Sequence, residues 1–216
     1  LSAPIESSYQ VINRAGDMVG VMDCTVSPAA DTVNLDCSET VEPYEVKEGD
    51  SLWSDSGHSS TLHTVWGGEN FQLMEYKYDV TFDQGGGYTS EVKDGVLVTT
   101  ASHDVIDPLT LEGSPLFEHE WAWRVYALQP SGGTFYSAPY VQVMHWDNDL
   151  KKSYPIVEDQ LLRILAGETL TVPAGIYETS KITMNGMTVW YANDEQQPMQ
   201  PIQIEDDMVT YKLMAE

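Results

Sequence analysis

Residues 166–213 alternate between apolar and polar side chains within several short runs. A two-residue period is that of a β-strand that buries one face and exposes the other. The pattern is clearest near the C-terminus, in Ile202 and Ile204 and then in Val209, Tyr211 and Leu213. This periodicity predicts strands and leaves little room for helix in the last quarter of the chain.

Turn signals divide this region into its strands. In the VPAG segment at 172–175, proline presets φ at the second turn position and glycine suits the fourth, as in a type I turn. Asn-Gly at 185–186 is a strong hairpin signal, a polar loop covers residues 193–198, and Asp-Asp at 206–207 precedes the last strand. We therefore expect a four-stranded antiparallel meander over residues 166–213.

The same features resemble a known family. The VPAG turn, the Trp-Tyr pair at 190–191 and the closing Tyr-Lys-Leu at 211–213 are similar to the C-terminal half of the DUF3108-type exported bacterial proteins of unknown function. The DPL segment at 107–109 and residues 121–128, with a Gly-Gly turn at 132–133, resemble the middle section of that family. The resemblance covers roughly half of the chain, and no catalytic motif accompanies it.

The resemblance implies a curved, half-open antiparallel barrel, akin to the lipoprotein carriers of the bacterial envelope, which hold an acyl chain in an apolar concavity. It also implies that residues 161–166 form a strand that pairs with the strand entering the VPAG turn. Residues 157–165 have apolar side chains at helical spacing as well. We adopt the strand interpretation for this segment.

The fold prediction is one mainly-β domain over residues 1–216, built as a single antiparallel curved sheet or half-open β-barrel with little helix. A chain of this length can bury about 70% of its unfolded surface. Hydrophobic residues make up 42% of the sequence, and no repeat or low-complexity tract marks a domain boundary. No apolar run approaches the length of about 18 residues typical of a membrane-spanning helix, so we expect no membrane span.

The sequence is strongly acidic, with 34 Asp and Glu residues against 10 Lys and Arg residues and a formal net charge of -24. A field of this sign repels phosphate backbones and anionic lipid head groups, so nucleic acid is excluded as a partner, as is polybasic membrane docking. We interpret the acidity as a solvated surface suited to salty surroundings. A set of cation sites is the alternative.

The two cysteines, Cys24 and Cys37, flank a turn-rich tip at residues 27–31. The flanking runs alternate, so we expect a hairpin over residues 18–40 in which the cysteines face each other. A disulfide there would close a loop of about 14 residues and stabilise the fold by about 3 kcal/mol. Two buried free thiols are the alternative. The bridge indicates an oxidising compartment, so we expect an extracytoplasmic protein (periplasmic, cell-surface or secreted). The start at Leu1 rather than methionine is typical of a processed or truncated form.

No sequence pattern marks a catalytic centre. The five histidines are scattered, and none has the spacing that places two imidazoles on one metal. His119 and Glu120 begin a zinc motif that lacks its second histidine, and there is no G-x-S-x-G elbow. Asp147 and Asp149 are the candidate Ca²⁺ ligands, because alternate oxygens on a loop can share one hard cation; solvated turn acids are the alternative. We expect no enzyme and no cofactor other than this candidate Ca²⁺.

Trp121, Trp123 and Trp190 are the candidate ligand-binding residues. Trp121 and Trp123 are two positions apart, which predicts one shared strand face. The concave side of a half-open barrel is too wide to fill itself, so inward aromatic side chains either pack as core or line an apolar pocket. Residues 104–117, which contain two prolines, are the predicted lid of that pocket. Outward-facing rings would instead suggest sugar stacking.

These features favour a non-enzymatic exported protein that binds an apolar or lipid-like small molecule in the half-barrel concavity. A carbohydrate-linked or Ca²⁺-linked surface module is the first alternative. A structural subunit that self-assembles through exposed β edges is the second.

Overall fold

The computed structural model describes residues 3–67, 71–102, 106–127, 135–147, 151–184, 186–193 and 200–215, with the backbone alone at 127, 136, 146 and 147. The strands before the one helix of these ranges are β1 (Ile5–Asn13), β2 (Met18–Ala29), β3 (Thr32–Val41), β4 (Tyr44–Glu48), β5 (Ser51–Asp55), β6 (His58–Gly67), β7 (Leu73–Phe82), β8 (Gly87–Lys93), β9 (Val96–Ala101), β10 (Leu109–Thr110) and β11 (Leu116–Phe117). After helix α1 (Trp121–Ala127) come β12 (Phe135–Asp147), β13 (Lys152–Leu165), β14 (Thr169–Val172), β15 (Gly175–Met184), β16 (Met187–Ala192), β17 (Pro201–Glu205) and β18 (Val209–Leu213).

One large sheet contains every strand of the described residues except β4 and β5, which form a separate hairpin. Its order is β10-β9-β8-β7-β6-β3-β2-β1-β18-β17-β16-β15-β13-β12-β11, and β14 pairs with β15 off this path. The pairing of β11 with β12 is parallel, and the other described pairings are antiparallel. Because the path ends at β10 and β11, the sheet is open. The prediction of a mainly-β fold with little helix is confirmed.

The two ends of the chain meet in the middle of this sheet, where β1 pairs with β18. Tyr9 lies opposite Leu213, and Asn13 lies opposite Val209. Alternate residues of β1 point inward, so that Tyr9 and Val11 are fully buried. One cluster of buried apolar side chains extends over strands from both halves of the chain, so the described residues share a common core.

Helix α1 lies against the inner face of the sheet. The Tyr191 hydroxyl of β16 donates a hydrogen bond to the Ala122 carbonyl, and the rings of Tyr9 and Trp123 meet edge to face with centroids 6.4 Å apart. Just before the helix, Phe117 stacks on Tyr76 of β7, with ring centroids 4.0 Å apart. The helix therefore fills part of the space that the curved sheet leaves open.

The expectation that Trp121 and Trp123 share a strand face is wrong, because residues 121–127 are helical. All of residues 120–125 are buried, so the contrast between a polar and an apolar face, from which a period is normally identified, is missing. A pair of opposite charges at helical spacing supports the first turn: Arg124 Nη1 lies 3.0 Å from Glu120 Oε1.

The Arg124 guanidinium anchors the helix to two neighbouring segments. Its Nε donates to the Phe71 carbonyl at 2.8 Å, and Nη1 also donates to the Pro115 carbonyl at 2.8 Å. Nη2 donates to the Ser114 carbonyl at 3.1 Å and to the Ser114 hydroxyl. Arg124 is 1% exposed and Glu120 is 0% exposed, so this ion pair belongs to the core.

The C-terminal region contains five strands, β14 to β18, rather than the expected four. The strand interpretation of residues 157–165 is confirmed, but β13 pairs with β15 and not with β14. Both β13 and β14 use the same edge of β15, one after the other, because the chain bends at Gly167 between them. An ideal Cβ at Gly167 would lie 1.2 Å from the Thr179 carbonyl oxygen of β15, so only glycine fits at this bend.

Cys24 and Cys37 lie directly opposite each other in the β2–β3 hairpin and form a disulfide, with an S–S distance of 2.12 Å and a Cα–Cα distance of 4.1 Å. The hairpin occupies the residues expected for it. Directly opposed side chains of an antiparallel pair lie on one face, so the alternation of the two runs was sufficient to bring the cysteines together.

Candidate ligand-binding site

A cavity of about 500 Å³ lies between the start of α1 and the inner face of the sheet. This volume is in the range of small-molecule sites. Its apolar lining consists of Met22, Cys37, Leu62, Trp121, Ala122, Trp123, Met187, Ile204 and Met208. Its polar lining consists of Glu39, Ser60, Tyr78, Glu118, His119, Tyr140, Gln142, Asp206, Asp207 and Tyr211.

Two of the three predicted tryptophans line this cavity. Trp121 and Trp123 are 2% and 3% exposed and approach it from the helix. Trp190 does not line it: its Nε1 donates to Glu168 Oε1 at 3.0 Å, and the Lys181 ammonium lies 5.8 Å from its ring centroid. The tryptophan side chains that line the cavity therefore come from one helical turn rather than from strands.

The predicted lid is also displaced along the chain. Residues 104 and 105 lie outside the described ranges, and the described residues 106–117 do not line the cavity. The cover is instead the segment from Glu118 to Trp123. Buried Leu116 and Phe117 pair with β12 and hold the start of this segment in place.

Four carboxylates line the cavity, and the sequence did not identify them as a group. Glu39 comes from β3, Glu118 precedes α1, and Asp206 and Asp207 form the turn between β17 and β18. One signal was available for Glu39, because it falls on the same strand face as Leu35 and Cys37, where an apolar residue is expected. The other carboxylates lie outside regular strands and gave no such signal.

Glu118 is held in a largely apolar setting. Burial raises the pKa of its carboxyl to about 7, although the Val143 amide donates a hydrogen bond of 2.9 Å to Oε1 and acts in the opposite direction. The carboxyl is thus close to half-protonated at neutral pH. It can donate or accept a hydrogen bond inside the cavity.

His119 is neutral and oriented by two tyrosines. Burial lowers the pKa of its imidazole to about 3. Its ring stacks on Tyr78 with centroids 3.6 Å apart, and Nδ1 lies 2.9 Å from the Tyr76 hydroxyl, whose pKa is raised well above its usual value by burial. The protonated Tyr76 donates to Nδ1, so Nε2 carries the hydrogen and faces Glu118 Oε1 at 3.8 Å.

His58 lies between two carboxylates, one of which is the cavity residue Glu39. Its Nε2 is 3.5 Å from Glu39 Oε2, and its Nδ1 is 3.3 Å from Asp55 Oδ1. The hydrogen bond with Glu39 is the main cause that raises the pKa of His58 to about 8, against the effect of burial. Ser60 donates to the same Glu39 oxygen at 3.3 Å.

We expect the free energy of unfolding to fall between pH 6.5 and 8 because of His58. The folded protein keeps the imidazole proton to about pH 8, whereas an unperturbed histidine loses it near 6.5. The stabilisation is therefore fully present below pH 6.5 and is lost as the pH rises through about 8, by up to about 2 kcal/mol. Glu118 acts in the same direction up to about pH 7, and His119 acts only below pH 6.5.

Urea denaturation at several pH values measures this slope, and His58→Gln should remove most of it above pH 7. His63→Gln is the matched control, because His63 is an exposed histidine whose Nδ1 lies 2.6 Å from Asp36 Oδ1. An unchanged slope in His58→Gln would contradict the assignment.

Two buried polar atoms of the lining residues have no hydrogen-bond partner within the described part of the chain. They are Glu39 Oε1, an acceptor, and Trp123 Nε1, a donor. Buried polar groups in folded proteins are nearly always paired, and leaving one unpaired costs about 1 to 3 kcal/mol. Both atoms belong to residues that line the same cavity.

No cluster of three or more His, Cys, Asp or Glu side chains that could hold a metal ion occurs in the described ranges. Of the two predicted Ca²⁺ ligands, Asp149 lies outside the described ranges, and Asp147 is described by its backbone alone. No helix of the described ranges is long and apolar enough to cross a membrane.

Comparison of the chain with protein-family models, curated proteins and solved structures found no match.

Proposed function

We propose that this protein is a non-enzymatic binding protein that holds an apolar or lipid-like small molecule in the concavity of its sheet. The observation that carries the proposal is the cavity of about 500 Å³ with a wall of Trp121, Trp123, Leu62 and Met187. Apolar pockets with a few placed polar groups are the usual form of small-molecule sites. The resemblance to the DUF3108-type exported family is part of the same proposal.

Two further observations support the individual parts of the proposal. The Cys24–Cys37 disulfide is compatible with an extracytoplasmic location, periplasmic, cell-surface or secreted. His119 is fixed as a neutral imidazole between Tyr76 and Tyr78, which favours a structural role over proton transfer near pH 7. The carbohydrate alternative gains no support from Trp121 and Trp123, because their rings are buried rather than displayed as flat exposed surfaces.

The test is titration with N-phenyl-1-naphthylamine, an uncharged apolar probe whose fluorescence rises in apolar surroundings. The wild type should bind it saturably with one site per chain. Met187→Trp replaces a linear side chain of the lining by a bulky indole ring that occupies part of the cavity, and it should weaken binding at least tenfold. Met74→Trp makes the same change at a position of β7 that is 57% exposed and should leave binding unchanged.

Thermal unfolding of all three proteins establishes that each is folded before binding is compared. Absence of saturable binding by the wild type would refute the proposal. Equal weakening by Met187→Trp and Met74→Trp would place the probe elsewhere and would refute it too.

A further inference from the structure

The lining of the cavity combines apolar side chains with carboxyl groups. Trp121, Trp123 and Met187 belong to the apolar lining, and Glu39, Glu118 and Asp206 contribute the carboxyl groups. Their charges also act on common groups: Glu39 and Glu118 both raise the pKa of Tyr78, and Glu118 and Asp206 both raise that of Tyr140. Three separate segments thus contribute carboxyl groups to the lining of one cavity.

This negative charge has little compensation inside the cavity. Among the described residues, no lysine or arginine contributes to the lining. His58 lies beside Glu39 and bonds Oε2 and not Oε1. His119 is neutral. An unpaired charge is costly to bury, and the protein responds by raising the pKa of Glu118 and of Asp206, in both cases chiefly through burial.

Glu39 Oε1 indicates which kind of ligand group could offset this negative charge. It is a buried acceptor without a hydrogen-bond partner in the described structure, although the Tyr211 hydroxyl lies near the same carboxyl group, and the side chain of Glu39 is 12% exposed. A ligand group that donates hydrogen bonds would complete it, and a cationic donor would in addition balance the neighbouring carboxyl groups. An anionic head group would meet like charge and no basic partner.

We propose that the ligand is an amphipathic cation, with an apolar body against Trp121 and Trp123 and an amine that donates to Glu39 Oε1 near Asp206 and Glu118. This inference rests on the proposed binding function and adds the chemical class of the ligand. It distinguishes the protein from a fatty-acid carrier, whose site would need a basic or neutral hydrogen-bond donor for the carboxylate of the ligand.

The experiment compares octylamine, octanol and octanoate, which share one chain length and differ in the head group. Each compound is tested as a competitor that displaces N-phenyl-1-naphthylamine from the wild type at pH 7 and 0.15 M salt. We expect octylamine to compete at a concentration at least tenfold lower than octanol, and octanoate to be the weakest of the three. Salt at this level screens the general attraction of the acidic protein for any cation.

Glu39→Gln should weaken octylamine at least tenfold and leave octanol within twofold of the wild type. Glu75→Gln removes the same charge from the exposed face of β7 and should change neither competitor. Glu118→Gln is the second variant, with the same expectation, and decides the matter if Glu39→Gln does not fold.

The outcomes separate the two proposals. Equal competition by octylamine and octanol, with saturable probe binding, would overturn the cationic ligand and leave the apolar site standing. Equal weakening of octylamine by Glu75→Gln and Glu39→Gln would assign its preference to net charge and would overturn the inference as well. Loss of all probe binding in the wild type would remove the proposed function itself.

Discussion

Arg124→Met is expected to lower the free energy of unfolding by about 3 to 5 kcal/mol, because it leaves the buried Glu120 carboxylate without its partner. The substitution also removes the donors to the carbonyls of Phe71, Pro115 and Ser114. Urea denaturation followed by tryptophan fluorescence measures the change, provided that unfolding has a single transition.

Arg14→Met is the matched control for this prediction. Arg14 is 34% exposed, lies 3.5 Å from Glu48 and covers the Trp53 ring, so its loss should cost no more than about 1 kcal/mol. Adding Glu120→Gln to Arg124→Met should recover part of the stability, because no charge then remains in the core. A loss below about 1 kcal/mol in Arg124→Met would contradict the view that the ion pair anchors the helix.

Trp66→Ala is the second change with a large expected effect, a loss of about 3 to 5 kcal/mol from the cavity left by a fully buried ring. Trp66 is 0% exposed at the end of β6, and its indole lies close enough to Glu120 to act on the pKa of that carboxyl, which it lowers. The truncation therefore disturbs both the apolar core and the setting of the ion pair.

Trp53→Ala is the same truncation in a different place. Trp53 is half-buried on β5, in the hairpin that stands apart from the large sheet, so we expect a clearly smaller loss in urea denaturation. Similar losses for the two variants would show that the core is not centred on the inner face of the large sheet.

Features that depend on neighbouring residues were predictable from the sequence. The β2–β3 hairpin and its disulfide follow from two alternating runs on either side of a turn, and the VPAG turn between β14 and β15 follows from its proline and glycine. Each of these rests on local backbone preference and on a period of two. Neither requires knowledge of distant pairing.

The helix and the site depend on features that a period cannot report. Residues 120–125 are buried all round. The helix that begins at Trp121 is supported by the ion pair of Glu120 with Arg124 and by the hydrogen bonds of Arg124 to the Phe71 and Ser114 carbonyls. The cavity takes carboxyl groups from Glu39 and Asp206, which are far apart in the sequence and line one site only in the folded sheet. Trp190 was misplaced for the same reason, since its partner Glu168 is distant in the chain.

The pairing of β1 with β18 also affects the order of events in folding. Contacts between segments so far apart in sequence close a very long loop, which slows folding relative to hairpins such as β2–β3. While the chain is being synthesised, β1 can pair with β2, but its other edge has no partner until β18 is made. A nascent chain therefore carries an unpaired strand edge at the centre of its future sheet, where a second nascent chain can add a strand in place of β18.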